Sequence, residues 1–209
     1  MDMRFVIPLL LFFQSSVVFA MEPIKVIQLE GTATETVGDS IYRLKVGSLL
    51  HADSQIKIDD HSMLIMILGR DVVTKLGPNS RATVYSRNKK DWELNLYRGI
   101  TASAVRNPEQ RPNHFQVRNR SVVMGVRGTV FYTENLENKP IFLCACKGTV
   151  AVENDKGKQL DSIKATHHDR PITISEIANS KDPVIRTAPM GNGHSDADVA
   201  YLEKLLYAN

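Results

Sequence analysis

From Ile24 to Val152 the chain is a succession of short alternating or β-branched segments, each bounded by Gly, Pro, Asn, Asp or Ser. They are Ile24–Leu29, Ile56–Ile58, Met63–Leu68, Val72–Leu76, Ala82–Tyr85, Trp92–Tyr97, Ile100–Val105, His114–Val117, Val130–Thr133, Ile141–Cys146 and Thr149–Val152. Residues of this kind at period two fit a half-buried pleated surface, and breakers this closely spaced leave no room for a helix of ordinary length. The pattern predicts an all-β fold: a short-stranded sandwich, a barrel or a β-solenoid-like domain. Gly77-Pro78-Asn79-Ser80 is a strong turn, and Asn107–Asn113, with two prolines, is the longest internal loop.

Beyond Val152 the character changes. Asn154-Asp155-Lys156-Gly157 reads as a hairpin turn into a strand over Gln159–Ala165, and Ile172–Ile174 is strand-like. Pro183, Pro189, Gly191 and Gly193 then mark a loop-rich tail that leads into a helix from Ser195 to about Tyr207. Ser195 suits the N-cap, Asp196 and Asp198 suit the first turn, and Val199, Leu202, Leu205 and Leu206 form an apolar stripe that predicts docking on the β body.

Ahead of the strands, Arg4 precedes the apolar stretch Phe5–Phe13, and Val18-Phe19-Ala20 follows a short polar patch. This is the layout of a cleavable signal peptide, too short to span a bilayer, which takes roughly 20 apolar residues. The expected organisation is a signal peptide over 1–20, a β domain over 22–155 and an extension over 156–209, in a periplasmic or secreted protein without a stable membrane span. The formal charge of +3 carries no global polyanion signature. Ten Lys/Arg against three Asp/Glu between Arg81 and Arg127 read as a solvated sheet face, and no nucleic-acid partner is expected.

Several stretches, in order, resemble the periplasmic domain of the FecR family, best known for regulators that pass iron-citrate signals to sigma factors. They are Arg43–Leu50, Val72–Ala82 with its Leu76-Gly77-Pro78-Asn79-Ser80 turn, Leu96-Tyr97-Arg98-Gly99, Gly125-Val126-Arg127-Gly128-Thr129-Val130-Phe131 and Gly148–Val152. The resemblance covers Pro23 to Glu153 and implies a β fold and a sensing or interaction role with an envelope protein or ligand as partner. The family's regulators place an anti-sigma segment and a membrane span before this domain, whereas a signal peptide is expected here. Direct sigma-factor control is therefore not carried over. The tail is similar to that of exported FecR-domain proteins with Cys-x-Cys, His-His-Asp and His-Ser/Thr-Asp motifs. Within the signature, Gly125 and Gly128 are expected at unusual dihedrals or close approaches, and Arg127 as a structural tie for the loop.

The only cysteines are Cys144 and Cys146. In an exported chain cysteines ordinarily close long loops as disulfides, and this pair closes almost none. On a regular strand the two Cα atoms lie about 6.6 Å apart with both thiols on one face. A disulfide wants Cβ atoms about 3.8 Å apart, so a bridge here needs a distorted strand. Two thiolates on one ion need sulfurs about 3.8 Å apart, which rotamers supply more readily. Candidate partners are His167, His168 and His194, of which one of the adjacent pair joins His194, with Asp169 or Asp196 orienting an imidazole. Such a set suits zinc, copper or a small iron–sulfur centre over hard cations. A strained disulfide and a metal-handling or thiol-redox pair remain the competing readings. No catalytic residues are assigned, because nucleophile-elbow, P-loop, H-E-x-x-H and C-x-x-C motifs are all missing.

Overall fold

The computed structural model describes residues 23–88, 91–106, 114–177, 180–191 and 193–208. The expected signal peptide and the Asn107–Asn113 loop lie outside the described residues. In chain order the strands are β1 (Ile24–Glu30), β2 (Ala33–Val37), β3 (Ser40–Arg43), β4 (Leu49–Leu50), β5 (Gln55–Ile58), β6 (Met63–Leu68), β7 (Val72–Leu76) and β8 (Arg81–Ser86). They continue as β9 (Trp92–Val105), β10 (Phe115–Arg118), β11 (Val123–Asn135), β12 (Ile141–Glu153), β13 (Gln159–Ala165), β14 (Ile172–Ser175) and β15 (Val184–Thr187), followed by helix α1 (Asp196–Ala208). All these strands join one hydrogen-bonded network that curls into a barrel-like body, the all-β architecture with a C-terminal helix that the periodicity predicts.

Closure comes from long strands that change partners midway. The first half of β9 pairs with β8 and, in parallel, with β10; its second half pairs with β7 and β11. Likewise β12 begins against β14 and the end of β11, then continues against β13 and the start of β11. Sequence pattern alone predicts two strands on either side of Gly99 and again of Gly148. Both glycines are instead bends inside continuous strands, at φ +105° and +93°. A Cβ on Gly99 would stand 2.5 Å from Ser80 Cα, and one on Gly148 2.4 Å from the Gly128 carbonyl oxygen. Glycine therefore lets the backbone turn the corner and lets a neighbouring strand approach, as at barrel corners generally. The β2–β3 hairpin, turning at Gly38, lies outside the segments the pattern marks: β3 buries neither face, and β2 buries only Ala33 and Glu35.

Two apolar clusters result. The main core, inside the curled sheet, includes Val26, Leu64, Trp92, Phe115, Phe131, Ile141 and Leu143. The second lies on the outer face, where Ile65, Ile67, Val73, Ala104, Val130 and Tyr132 are covered by Leu202 and Leu206 of α1. Burying each of those leucines contributes about 1.5–3 kcal/mol, which fastens the helix to β7, β9 and β11. At its start the Ser195 hydroxyl accepts from Asp198 N at 3.3 Å, while Asp198 Oδ2 accepts from Ser195 N at 3.0 Å, a reciprocal cap.

Gly148→Ala should cost more than about 2 kcal/mol in equilibrium guanidinium unfolding, because backbone strain adds to a backbone clash. Gly38→Ala, at φ +58° with open space around it, should cost only about 1 kcal/mol. Equal losses would refute the close-approach account.

Candidate metal centre

Strand β12 is buried on both faces over Leu143–Cys146, and its alternation decides what each face receives. Ile141, Leu143 and Ala145 enter the main core, whereas Cys144 and Cys146 join the outer cluster beneath α1. Register with β11, in which Tyr132 faces Cys144 and Phe131 faces Ala145, holds the segment extended. Both thiols are free and buried.

His168 reaches them through a turn. The Asp169 carboxylate accepts from Thr166 N at 2.6 Å, Thr166 Oγ1 at 2.8 Å and His167 N at 3.3 Å, which locks the chain just after β13. Within that turn His168 adopts φ +49°, and its N–H donates to the Cys146 carbonyl at 3.2 Å. Left-handed backbone is uncommon for a residue with a side chain, so the lock and the bond to β12 hold it there. Its Nδ1 then stands 3.3 Å from Cys144 Sγ, and its Nε2 3.1 Å from Asp196 Oδ1.

His194 arrives from the other direction, immediately before the helix cap. Its ring stacks on Tyr132 with centroids 4.2 Å apart and planes inclined by 15°, and its Nε2 lies 3.2 Å from His168 Nδ1. Glycine at position 193 makes this possible, since a Cβ there would fall 1.9 Å from the Tyr132 hydroxyl. The Tyr132 hydroxyl in turn donates to Glu134 Oε1 at 2.6 Å. His194 Nδ1 is buried without a hydrogen-bond partner among the described residues. One donor atom from each of Cys144, Cys146, His168 and His194 falls within 4.8 Å of all the others.

The two thiols are electrostatically unlike. A hydrogen bond from Cys146 is the largest influence lowering Cys144, to about 4; burial opposes it, and His194 and His168 add to the lowering. Cys146 moves the other way, held protonated first by that same bond to Cys144 and then by burial. Burial, followed by the bond to Glu134, keeps the Tyr132 phenol un-ionised.

Residues 49–151 match the family model FecR, described as FecR protein. The chain carries a FecR domain. Its fold is similar to the crystal structure of a candidate anti-sigma factor from Parabacteroides distasonis, with 15% identity and a TM-score of 0.50. That likeness covers 64% of this chain, and the chain spans 58% of the length of its neighbour. No curated protein matches the chain. The FecR match contains Cys144 and Cys146 and ends before His168 and His194, so the cluster joins the FecR domain to the tail.

Of the sequence-predicted site residues, the structure brings together Cys144, Cys146, His168 and His194, with Asp196 on the outer nitrogen of His168. His167 points outward, 71% exposed, and its Nε2 is 3.7 Å from Asp196. Asp169 fixes the turn rather than orienting an imidazole. In the FecR signature Gly128 has φ +56° at a bulge, whereas Gly125 sits in the ladder between Gln116 and Ala151. The Arg127 side chain lies outside what the structure describes. Tyr132, the platform under His194, escapes sequence reasoning because its only signal is the cross-strand register with Cys144.

Reduced, metal-free protein at pH 7 should show the ultraviolet absorbance of one thiolate, disappearing on acidification with a midpoint near 4. Cys146→Ala should raise that midpoint, because the substitution removes the donor whose bond most favours the Cys144 anion. Absorbance of no thiolate, or of two, at pH 7 would contradict this electrostatic picture.

Proposed function

We propose that this chain is an exported, non-catalytic FecR-type sensing or interaction module in which a metal ion held by Cys144, Cys146, His168 and His194 fastens the tail to the β body. The observation that carries the reading is the convergence of four soft or borderline donors from β12, the turn after β13 and the start of α1. A tetrahedral zinc site needs S···N separations of about 3.6 Å and N···N separations of about 3.3 Å. The corresponding contacts here are 3.3 Å and 3.2 Å. Protons serve this arrangement poorly, because His168 Nδ1 faces Cys144 Sγ and His194 Nε2 at once and has one hydrogen to offer.

Charge balance favours a divalent ion. Two thiolates, two neutral imidazoles and Zn2+ sum to zero, which suits a buried site where uncompensated charge is costly. Asp196 then accepts from His168 Nε2–H, the carboxylate–histidine–metal arrangement that fixes the ligand tautomer. The FecR match and the anti-sigma description of the Parabacteroides distasonis neighbour support a signalling role with an envelope protein or ligand as partner. Among the described residues no helix is long and apolar enough to cross a membrane.

A thiol-redox role is the second reading, favoured by the unlike thiols and opposed by their burial, which denies a substrate access to either sulfur.

Protein purified without chelator should contain one equivalent of zinc per chain, and Cys144→Ser or His194→Ala should lose it. Free metal at 1,000 times its Kd should add about 4 kcal/mol to stability. Asp196→Ala should weaken zinc binding by about 10- to 100-fold without abolishing it. A metal-free protein with a quantitative Cys144–Cys146 disulfide would overturn the metal reading, and reversible thiol cycling with a small disulfide would favour the redox one.

A further inference from the structure

A second donor set lies directly outside the first. His167, His168 and Asp196 each place a donor atom within 4.8 Å of the other two, and His167 and Asp196 are each 71% exposed. His168 belongs to both sets through different nitrogens. Its Nδ1 faces Cys144, and its Nε2 faces Asp196. The His167 and His168 rings stand 5.1 Å apart at 78°, so both can address one point beside the Asp196 carboxylate.

From this juxtaposition we infer that His167, His168 and Asp196 form a capture site that takes a hydrated divalent cation from solvent and passes it inward to the Cys144, Cys146, His168 and His194 set. The inference rests on the metal reading above and adds the route by which that site is loaded. Buried donors cannot meet an ion that still carries its water shell. Two imidazoles and one carboxylate at the surface leave coordination positions for water, so a partly hydrated ion can be held there. The Asp196 charge attracts the cation, and the carboxylate also marks the side of the cluster that opens to solvent. Transfer proceeds toward the softer donors: the remaining waters are shed, thiolate and imidazole replace carboxylate, and the Cys146 thiol proton leaves to solvent. His168 keeps its backbone bond to the Cys146 carbonyl throughout and exchanges one nitrogen for the other as ligand: the Nδ1 proton of the captured state leaves to solvent, and Nε2, released by the ion, takes up a proton and donates it to Asp196.

The test uses the full chain, reduced and stripped of metal by dialysis against chelator, then mixed rapidly with Co2+. Thiolate-to-cobalt charge-transfer absorbance reports arrival at the cysteines alone. His167→Ala should slow that rise by about tenfold or more, the scale of an electrostatic and ligand-assisted capture step. Its final amplitude should match the unsubstituted chain, and its Co2+ affinity should stay within about threefold, since an exposed histidine outside the inner set contributes little to the end state. Unchanged loading in His167→Ala, with charge transfer intact, would overturn the capture site and leave the metal centre standing. Affinity lost in step with rate would overturn it too, by making His167 an inner ligand. An unsubstituted chain that gives no charge-transfer band would sink the metal centre and the capture site together.

Discussion

Pairing between β11 and β12 runs from Val123 opposite Glu153 to Glu134 opposite Phe142, interrupted by register shifts around Gly128 and Val130. Where Val130–Thr133 meets Leu143–Cys146 both faces of this ribbon are buried, so its alternation supplies two structures at once. Phe131, Ile141, Leu143 and Val150 fill the curled sheet, and Tyr132, Cys144 and Cys146 build the outer face. A shift by one residue would exchange the two sets, placing thiols in the main core and Ile and Leu under the helix. The corner at Gly148 falls at that interruption, between the Arg127–Thr149 and Val130–Lys147 pairs, and the backbone turns there where a Cβ would strike the Gly128 carbonyl. Everything that follows, including where His168 can hydrogen-bond, inherits that register.

The tail attaches to this ribbon by two physically different means. Leu202 and Leu206 close the outer cluster through non-directional apolar burial, supported by ion pairs from Lys75 to Asp198 and Lys147 to Glu203. Exposed pairs of this kind are each worth little, about 1 kcal/mol or less, so the leucines dominate. The Cys/His cluster adds direction at the helix start, where His194 is clamped against Tyr132 and His168 is tied to the Cys146 carbonyl. A bond made there positions the helix as well as stabilising it. Since the FecR match ends before both histidines, the cluster also ties the matched residues to those that follow them.

Much of this was legible in the chain itself. Period-two alternation marked most of the strands, the Ser195-Asp196-Ala197-Asp198 start and the leucine stripe marked α1, and Cys144 and Cys146 sharing a face followed from their spacing. Gly99 and Gly148 misled as strand ends, because a glycine reads the same whether it terminates a strand or bends one. Tyr132 and the outward turn of His167 were invisible for another reason. Cross-strand register and a left-handed φ at His168 depend on residues far away in the chain.

Local chemistry therefore determined the element types, the donor set and the face on which the cysteines stand, since side-chain periodicity and ligand preference are properties of neighbouring residues. Tertiary structure alone decided which histidine of the adjacent pair turns inward, that Asp196 rather than Asp169 meets its outer nitrogen, and that His194 closes the set from the far end of the tail. Those outcomes rest on the path of the tail across the outer face, set by leucine burial and by the corner at Gly148, and no short stretch of sequence contains both ends of that path.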